Sequence, residues 1–457
     1  MTQSHGTLPA IWRHDPDENQ PPTSMKASNS SMNPLFAVGM TCLLALNTFS
    51  KEADTGILQP YTGPSIRGTD PTTLEGKVMT GYQGWFNCEG DGADLGWTHW
   101  AKNRRQPFAP DNIGVDMWPD VSEFADDELY ETGFLDDRGT PATVFSSYDR
   151  RTVLRHFQWM QQYGIDGAFI QRFANGLNHA DLRHHKDMVL SSAREGANRH
   201  GRTYSVMYDL SGIREGAVET VFSDWRMLRQ RMEITDDPAY QHHEGKPLVT
   251  IWGVGFKDDA KRRPDLQAGE RLIRKLKADG CSIMLGIPTG WRTRERDALT
   301  DDRLHEVLLL ADILSPWSVG RFGNLKGVQR HAKNHWAPDI IWAKEHSITY
   351  MPVVFPGFSW HNQNKGELNA IPRLKGRFMW DQVLACREAG ASMIYVAMFD
   401  EVDEGTAIFK CTDTPPTGNG ARLLGMEGLP SDHYLRLAEK AGQLIRGEIS
   451  PSKAIPE

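Results

Sequence analysis

The sequence predicts one α/β domain of the (β/α)8 TIM barrel class. From Lys77 onward, short apolar runs rich in β-branched and aromatic residues alternate with longer amphipathic stretches, a rhythm typical of parallel βα units. About eight such runs occur, and eight parallel strands close a barrel. Barrels routinely hold about 250 residues or more in one domain, so a chain of 457 residues need not be divided into several.

Each predicted strand is an apolar run that ends near a Gly or Pro, as strands do where a barrel opens to its active-site face. The runs are 77–86, 164–173, 203–212, 247–255, 281–290, 311–320, 349–360 and 392–409. The stretches between them have helical spacing: 151–163 ends at Gly164, which suits a left-handed C-cap, and Gly280 and Gly390 end later stretches likewise. A closing helix is predicted around 433–446.

A long excursion, 87–147, follows the first strand and is rich in Asp, Gly, Pro and Trp. Long segments of this kind are usually functional or insertional. The excursion is therefore expected to roof one side of the pocket.

The N-terminal region predicts export. A weakly basic stretch beginning at Met25 precedes an apolar run from Pro34 to Leu46, which is shorter than the ~20 residues that span a bilayer. It is interpreted as a signal peptide or apolar leader of a secreted or periplasmic protein with no stable membrane span in the mature chain; an N-terminal anchor is the alternative. The predicted divisions are a disordered upstream segment, this leader, a linker, the catalytic barrel and a tail, at 1–24, 25–50, 51–76, 77–447 and 448–457.

Composition excludes several classes of function. With 39% hydrophobic and 24% charged residues, the chain is an ordinary soluble globular protein rather than a disordered or multi-span one. Its formal charge of -8 provides no basic field for nucleic acid. No Cys-x-x-Cys pair or His-Glu-x-x-His motif occurs, so no transition-metal site and no cofactor are predicted. The sequence leaves the oligomeric state open.

The most informative segment lies at the end of the last predicted strand. There a buried run leads directly into Asp400, Glu401, Asp403 and Glu404. Glycoside hydrolysis needs one carboxylic acid to protonate the leaving oxygen and a second carboxylate as nucleophile or base. A turn of helix beginning at Asp400 would place Glu401 and Glu404 on one face as the catalytic pair. An acidic capping loop or a divalent-cation site would use the same residues.

The segment from Phe399 to Thr406 resembles the Glu-x-x-Glu-Gly-Thr segment of glycoside hydrolase family 99, the endo-α-mannosidases, and of the wider family 71/99-like barrels. The aromatic run 78–86 and the cluster 97–100 resemble that group's first strand and the residues after it. The resemblance implies a carbohydrate substrate and a retaining mechanism. In it, Glu404 is the general acid and base, and Glu401 deprotonates the sugar 2-hydroxyl to form a 1,2-anhydro intermediate.

The chain departs from the mannosidases between the two glutamates. It has Val402-Asp403 where they carry Trp-His, which argues against assuming mannose as the substrate. The function predicted is hydrolysis of an α-linked poly- or oligosaccharide. The alternative is a carbohydrate-binding barrel without catalysis. A barrel lyase, phosphatase or aldolase is disfavoured, because no phosphate-cradling Gly-rich loop or Schiff-base Lys stands at a strand end.

Sugar rings need flat aromatic faces and polar partners around the acids. Aromatic or charged residues at strand ends and in the first loop meet this need, although any of them could instead be packing. The residues predicted to bind substrate are Tyr82, Trp85, Trp97, His99, Trp100, Arg172, Tyr208, Asp209, Trp252, Trp317, Trp360 and Asp400.

Two cysteines follow the first and last predicted strands, which are neighbours in a closed barrel. The hypothesis is a Cys88–Cys411 disulfide across the barrel mouth, consistent with export to an oxidising compartment.

Overall fold

A computed structural model describes residues 56–213, 218–257, 265–418 and 420–456. It confirms the α/β class, and every predicted run contains or overlaps a strand. In chain order the strands are β1 Val78–Tyr82, β2 Leu129–Leu135, β3 Pro141–Phe145, β4 Gly167–Phe173, β5 Thr203–Asp209, β6 His242–His243, β7 Lys246–Trp252, β8 Ser282–Ile287, β9 Ile313–Pro316, β10 Thr349–Tyr350, β11 Val353–Val354 and β12 Ile394–Val396.

The main sheet is parallel and curled, like that of a TIM barrel. Its strand order is β10-β9-β8-β7-β5-β4-β1-β12-β11, and β6 adds an antiparallel pair to β7. The two ends of this path, β10 and β11, belong to one stretch of chain, 349–354, which Met351 and Pro352 interrupt. The first half of that stretch pairs with β9 and the second half with β12.

The inner face of the sheet is defined by contacts among Gln171, Met207 and Tyr395. The Gln171 amide donates to the Met207 sulfur at 2.9 Å, and the Tyr395 hydroxyl lies 3.8 Å from the same atom. A Cβ atom on Gly81 would lie 2.4 Å from the Tyr395 hydroxyl, so the close approach of these strands requires glycine there. Since strand side chains alternate, the intervening residues face outwards.

The helices cover the outer face of the sheet. The first, α1, shows why they form where they do: the Asp149 carboxylate caps it by accepting from the Arg151 amide at 2.8 Å, and Val153 and Phe157 are buried one turn apart. Gly164, with φ of 63°, follows the helix. The helices are α1 Arg150–Gln162, α2 Ala180–His200, α3 Val218–Met227, α4 Leu266–Ala278, α5 Arg303–Leu308, α6 Leu325–His331, α7 Ala337–Glu345, α8 His361–Asn364, α9 Arg377–Glu388 and α10 His433–Ile445.

The excursion 87–147 contains an antiparallel hairpin, β2–β3, that the sequence analysis did not predict. Its core is aromatic: the Phe108 ring stacks on Trp118 at 5.4 Å and packs against Phe134 at 5.2 Å. The Asp116 amide donates to the Val402 carbonyl at 3.0 Å. The excursion therefore contacts the acidic loop that follows β12, as expected of a roof over one side of the site.

The segments before the first strand and after the last helix also pack against the domain. Within the predicted linker, residues 56–76 bury Leu58 and Leu74 in the core. Near the C-terminus the Trp380 indole donates to the Ser452 carbonyl at 2.8 Å. The predicted leader, 25–50, and the segment before it lie outside the described residues. No helix within the described ranges combines the length and apolar character needed to cross a membrane.

The predicted Cys88–Cys411 disulfide is wrong. Both thiols are free and buried, as are Cys281 and Cys386. The chain turns from β1 into the excursion, so the Cys88 sulfur lies against β3 and donates to the Phe145 carbonyl at 3.2 Å. The predicted disulfide therefore no longer supports export to an oxidising compartment.

We expect reductant to leave the thermal unfolding midpoint unchanged. Burial raises the pKa of the Cys411 thiol to about 12 and that of Cys88 well above its usual value, so few thiolates form at neutral pH. Removing a structural disulfide typically costs about 2–5 kcal/mol, which would lower the midpoint by several degrees. Calorimetry with and without dithiothreitol checks this, with Cys411→Ser as the control, whose response to reductant should match the wild type. A reductant-dependent fall in the wild type alone would contradict the free thiols.

Candidate active site

The acids lie on a tight loop after β12 that folds back on itself. The amides of Thr406 and Ala407 donate to the Glu401 carbonyl at 3.1 and 3.0 Å, and the Phe409 amide donates to the Phe399 carbonyl at 3.0 Å. These bonds span five, six and ten residues, more than the four of an α-helix. The helical turn predicted at Asp400 is therefore wrong, and the loop itself brings the carboxylates together.

Asp400 joins this loop to the end of β1. Its two carboxylate oxygens accept from the backbone amides of Gln83 and Gly84 at 2.8 and 2.7 Å. The side chain is fully buried, and burial raises the pKa of Asp400 to about 7 despite these hydrogen bonds. Because both oxygens are used by the backbone, Asp400 positions the loop rather than presenting its carboxylate to a ligand.

Glu401 is held by two hydrogen bonds. One carboxylate oxygen accepts from the Gln83 amide nitrogen at 2.7 Å, and the other accepts from the Thr406 hydroxyl at 2.7 Å. Burial, followed by the charge of Asp403, raises the pKa of Glu401, while the two donors oppose that rise. Donors of this kind favour the ionised form of a carboxylate.

Glu404 has the opposite surroundings. It is buried, and its Oε2 atom has no hydrogen-bond partner among the described residues. Burial, then the charges of Glu401 and Asp403, raise the pKa of Glu404 well above its usual value. Its backbone is fixed because the Ser359 amide donates to the Glu404 carbonyl at 2.9 Å. The hydrogen bonding of the two glutamates thus differs: it favours the carboxylate form at Glu401 and gives no such support at Oε2 of Glu404.

An aromatic and imidazole platform stands beside the acids. The His99 ring stacks on Trp85 with centroids 3.7 Å apart and planes 5° apart, and its Nδ1 lies 3.0 Å from the Asp403 carboxylate. The backbone of His99 is left-handed, with φ of 61°, which is uncommon for a residue with a side chain. A pocket of about 550 Å³ opens along this platform and is also lined by Phe173.

Three residues predicted to bind substrate face outwards instead. The Tyr82 hydroxyl lies 2.9 Å from His156 Nδ1 on α1. The Arg172 guanidinium donates to Asp224, as does the Tyr208 hydroxyl, at 2.6 and 2.7 Å. Their strand neighbours face the interior, so alternation turns Tyr82, Arg172 and Tyr208 towards the helices. The substrate-binding prediction is wrong for these three.

Two tryptophans of the excursion belong to its core. Trp100 is fully buried, donates its indole N–H to the Phe145 carbonyl at 3.2 Å and packs on Phe86 at 4.5 Å. Trp97 is buried against Phe108 at 5.8 Å. Both therefore support the loop that carries His99 and do not present a ring to the pocket.

The remaining aromatic candidates lie nearer the mouth of the sheet. Trp252 and Trp317 meet edge to face at 5.6 Å, and Trp317 also contacts Tyr395 at 6.1 Å on the inner face. Asp209, at the end of β5, is buried and accepts from the Ser211 amide at 2.7 Å. Trp360 is half-buried and directly follows Ser359, which bonds to the Glu404 backbone. The structure thus gathers inner-face aromatics and the acids at the same end of the strands.

The fold, rather than the sequence, relates this chain to known proteins. No protein-family model matches the chain, and no curated protein matches it. The GH99 endo-alpha-mannosidase from Bacteroides thetaiotaomicron superposes with a TM-score of 0.59 at 18% identity, over 82% of this chain and 99% of that one. Its complex with bis-tris-propane gives a TM-score of 0.57 at 18% identity over the same shares of the two chains. The chain has a family 99-like fold.

Several residues of this candidate site were missed by the sequence analysis. Gln83 and Thr406 hold Glu401, and Tyr395 and Gln171 line the inner face below it. Once one inner-face position such as Gly81 is known, strand alternation assigns Gln83 to the same face, but the sequence alone does not supply that first position. Within the described residues, no group of three or more His, Cys, Asp or Glu side chains is arranged to hold a metal ion.

We expect stability to fall as pH rises towards and above neutrality. Asp400, with its pKa at about 7 in the fold, and Glu401 and Glu404, with raised pKa values, retain protons that the unfolded chain has already released. Their contribution is complete below the unfolded pKa values, near 4, and is lost as pH rises through the folded values. Each such group contributes a slope of at most about 1.4 kcal/mol per pH unit.

Urea unfolding between pH 5 and 8 measures this slope. The Glu404→Gln variant, which carries no titrating group at that position, should show a shallower decline than the wild type. Equal slopes in the two proteins would contradict the raised pKa of Glu404.

Proposed function

We propose that the chain is a retaining glycoside hydrolase acting on an α-linked poly- or oligosaccharide, with Glu404 as general acid and base. The unequal hydrogen bonding of the two glutamates carries this proposal. Glu401 has two donors that favour its carboxylate, and buried Glu404 has an oxygen without a protein partner, which favours its acid form. Adjacent carboxyl groups with opposite protonation preferences are what acid and base roles require.

The proposal includes a closed (β/α)8 barrel. The stretch 349–354 pairs with β9 through its first half and with β12 through its second half, which supports closure of the sheet at this stretch. Strand β12 pairs with β1 on one side and with β11 on the other, and β1 pairs in turn with β4. Strand β12 therefore has a neighbour on either side. Closure would put the loop after β12 at the carboxyl-terminal mouth, where barrel enzymes carry their active sites.

In the proposed first step, Glu401 takes the proton of the sugar 2-hydroxyl. The freed oxygen attacks the anomeric carbon from the face opposite the leaving group to give a 1,2-anhydro sugar as the bond to the leaving oxygen breaks, which requires a 1,2-trans substrate such as a manno-configured α-glycoside. Glu404 gives its proton to that oxygen. In the second step, Glu404 takes a proton from water as the water attacks the anomeric carbon. The epoxide bond to O2 breaks, Glu401 returns its proton to O2, and the configuration is retained after two inversions.

The substrate is proposed to lie between the Trp85–His99 platform and the Trp252–Trp317 pair. Aromatic faces bury the apolar side of a sugar ring, and indole N–H groups still donate. Asp403 lies between the two glutamates in the sequence, and its carboxylate contacts the Nδ1 atom of His99. Asp403, one of the two residues that differ from the mannosidases, is thus part of the site, and the sugar is left to experiment.

A glycan panel tests the proposal. The wild-type chain is incubated with α-linked glucans, mannans, galactans and their oligosaccharides, and the anomer first released is identified by NMR. Retention of the α-configuration is expected for at least one manno-configured substrate, whereas α-glucans and α-galactans, whose O2 is cis to the leaving oxygen, should not be cleaved by this route. Inversion would contradict the assignment of both steps to this pair. Binding without release of any reducing sugar would favour the non-catalytic carbohydrate-binding alternative.

Export is part of the proposal and concerns residues 25–50. Sequencing the N-terminus of the protein recovered from the periplasm or medium tests it, with removal of the leader as the expected result. An intact leader on protein confined to the cytoplasm would contradict it.

A further inference from the structure

A second concave site lies on the loops that follow β8 and β9. It is an open pocket of about 580 Å³, a volume that includes open solvent, and is here named the arginine pocket. Its lining includes three arginines and two histidines but no carboxylate. Gly323 and Gly327 leave part of its wall without side chains, and the principal side chains are Arg296, Arg321, Phe322, Arg330, His331 and His335.

The charge of the arginine pocket is only partly balanced. Arg321 lies 3.0 Å from the Asp297 carboxylate, which also accepts from the Gly290 amide at 2.8 Å. Among the described residues neither Arg296 nor Arg330 pairs with a carboxylate. Instead the Arg296 guanidinium donates to His335 Nε2 at 2.8 Å. A hydrogen bond of this kind uses the neutral imidazole as acceptor and leaves the guanidinium charge in place.

The two histidines contribute neutral aromatic surface to the pocket rather than positive charge. Their rings stack with centroids 4.7 Å apart, and His331 also packs on Phe322 at 4.7 Å. Burial, then the neighbouring His335, lowers the pKa of His331, and burial, then Arg296, lowers the pKa of His335. The positive charge of the pocket therefore comes from its guanidinium groups, which lie beside the two neutral imidazole rings.

The position of the arginine pocket links it to the proposed active site. Trp317, directly after β9, faces Tyr395 on the inner face of the sheet. Arg321 comes four residues later, so its backbone lies within roughly 14 Å of Trp317, given at most about 3.6 Å per residue. Because parallel strands open at the same edge, the loop after β9 that carries Arg321 begins at the same end of the sheet as the acids.

We propose that the arginine pocket binds a negatively charged substituent of the carbohydrate, either the carboxylate of a uronic acid or a sulfate or phosphate ester. This inference rests on the proposed function and narrows its substrate to an acidic polysaccharide. Guanidinium groups match these anions with paired hydrogen bonds that a neutral hydroxyl does not form.

Affinity electrophoresis of the full chain carrying Glu404→Gln provides the test. The probes are polygalacturonate with its carboxyl-reduced counterpart, and sulfated and phosphorylated α-glucan and α-mannan with their unmodified parents. Retardation by at least one acidic polymer and less by its neutral partner is expected. Adding Arg296→Gln and Arg330→Gln should weaken that binding by about tenfold or more, as expected when charge-assisted hydrogen bonds are lost.

The matched control is Arg226→Gln, which removes an exposed helical arginine outside the pocket and should leave retardation unchanged. Equal retardation by acidic and neutral members of every pair would overturn the inference, as would an acid preference that survives loss of Arg296 and Arg330. Arginine-dependent binding of inorganic sulfate or phosphate alone, without preference for an acidic polymer, would also overturn it by assigning the pocket to a free anion.

The same proteins separate this inference from the proposed function. If the wild type hydrolyses a neutral glycan and does not prefer acidic over neutral polysaccharides, the proposed hydrolase activity is supported and the anionic subsite is contradicted. If the arginine-dependent preference appears but the wild type releases no sugar from any probe, the subsite stands and the hydrolase falls.

Discussion

Replacing Glu404 with Gln is expected to lower kcat/KM on a natural glycan by roughly 10²–10⁴-fold, the usual contribution of general acid and base catalysis. The amide cannot give a proton to the leaving oxygen, and the buried site has no protein donor at Oε2 to replace it. Binding should be preserved because Gln has the same shape. On a substrate whose leaving group departs without protonation, such as a nitrophenyl glycoside, the first step should lose far less.

Glu401→Gln is expected to lose activity on both kinds of substrate. Glu401 removes the proton of the 2-hydroxyl that displaces the leaving group, so a better leaving group does not make this proton transfer unnecessary. Glu388→Gln, at the exposed end of α9, is the matched control and should keep wild-type kinetics. Initial rates and circular dichroism of all four proteins are the measurements. Wild-type activity in Glu404→Gln would remove the acid and base assignment, and equal losses of the two variants on the activated glycoside would contradict their separate roles.

The sequence allowed much of the scaffold to be predicted, because short-range rules govern it. Apolar runs located the strands of the main sheet, and Gly164, Gly280 and Gly390 all have the positive φ expected at helix ends. The acid pair was also visible, since charged residues directly after a buried strand are uncommon without a function. What the sequence did not contain locally was the hairpin β2–β3 inside the excursion, whose pairing depends on the aromatic cluster that it encloses.

The direction of the strand side chains could not be predicted for a physical reason. In a parallel sheet covered by helices both faces are buried, so inner and outer residues are similarly apolar and their alternation leaves no polar pattern to read. Tyr82 and Gln83 are adjacent, yet only Gln83 contacts Glu401, while Tyr82 bonds to a helix. The same ambiguity misplaced Arg172 and Tyr208. A single contact, Gly81 against Tyr395, is enough to fix the direction for β1.

The Arg172 side chain points outwards into a buried ion-pair network. Loss of its main partner is expected to have the largest effect on stability. Its side chain is fully buried, and its Nε and Nη2 atoms donate to the two oxygens of Asp224 at 2.9 and 2.6 Å. Asp187 accepts a further bond from Nη2 at 2.9 Å, and Tyr208 donates to Asp224 at 2.7 Å. Asp224 is thus the common acceptor of a buried network that ties β4 and β5 to α3.

Asp224→Ala is expected to lower the free energy of unfolding by about 3–5 kcal/mol, because it leaves a buried guanidinium short of its main partner. Urea denaturation measures the loss. Asp137→Ala, at an exposed position in the β2–β3 turn, is the control and should unfold at the wild-type urea concentration. Replacing the three charges together, as Arg172→Met, Asp187→Leu and Asp224→Leu, should cost less than Asp224→Ala, since no charge is then left buried alone.

The same variant decides between a structural and a substrate-binding role for this network. At a temperature where Asp224→Ala remains folded, its KM should equal that of the wild type, because Arg172 and Tyr208 face the helices and not the sugar. A loss of stability below about 1 kcal/mol would mean that the network is hydrated rather than buried. A raised KM with unchanged stability would return Arg172 and Tyr208 to the substrate site and reverse the assigned direction of β4 and β5.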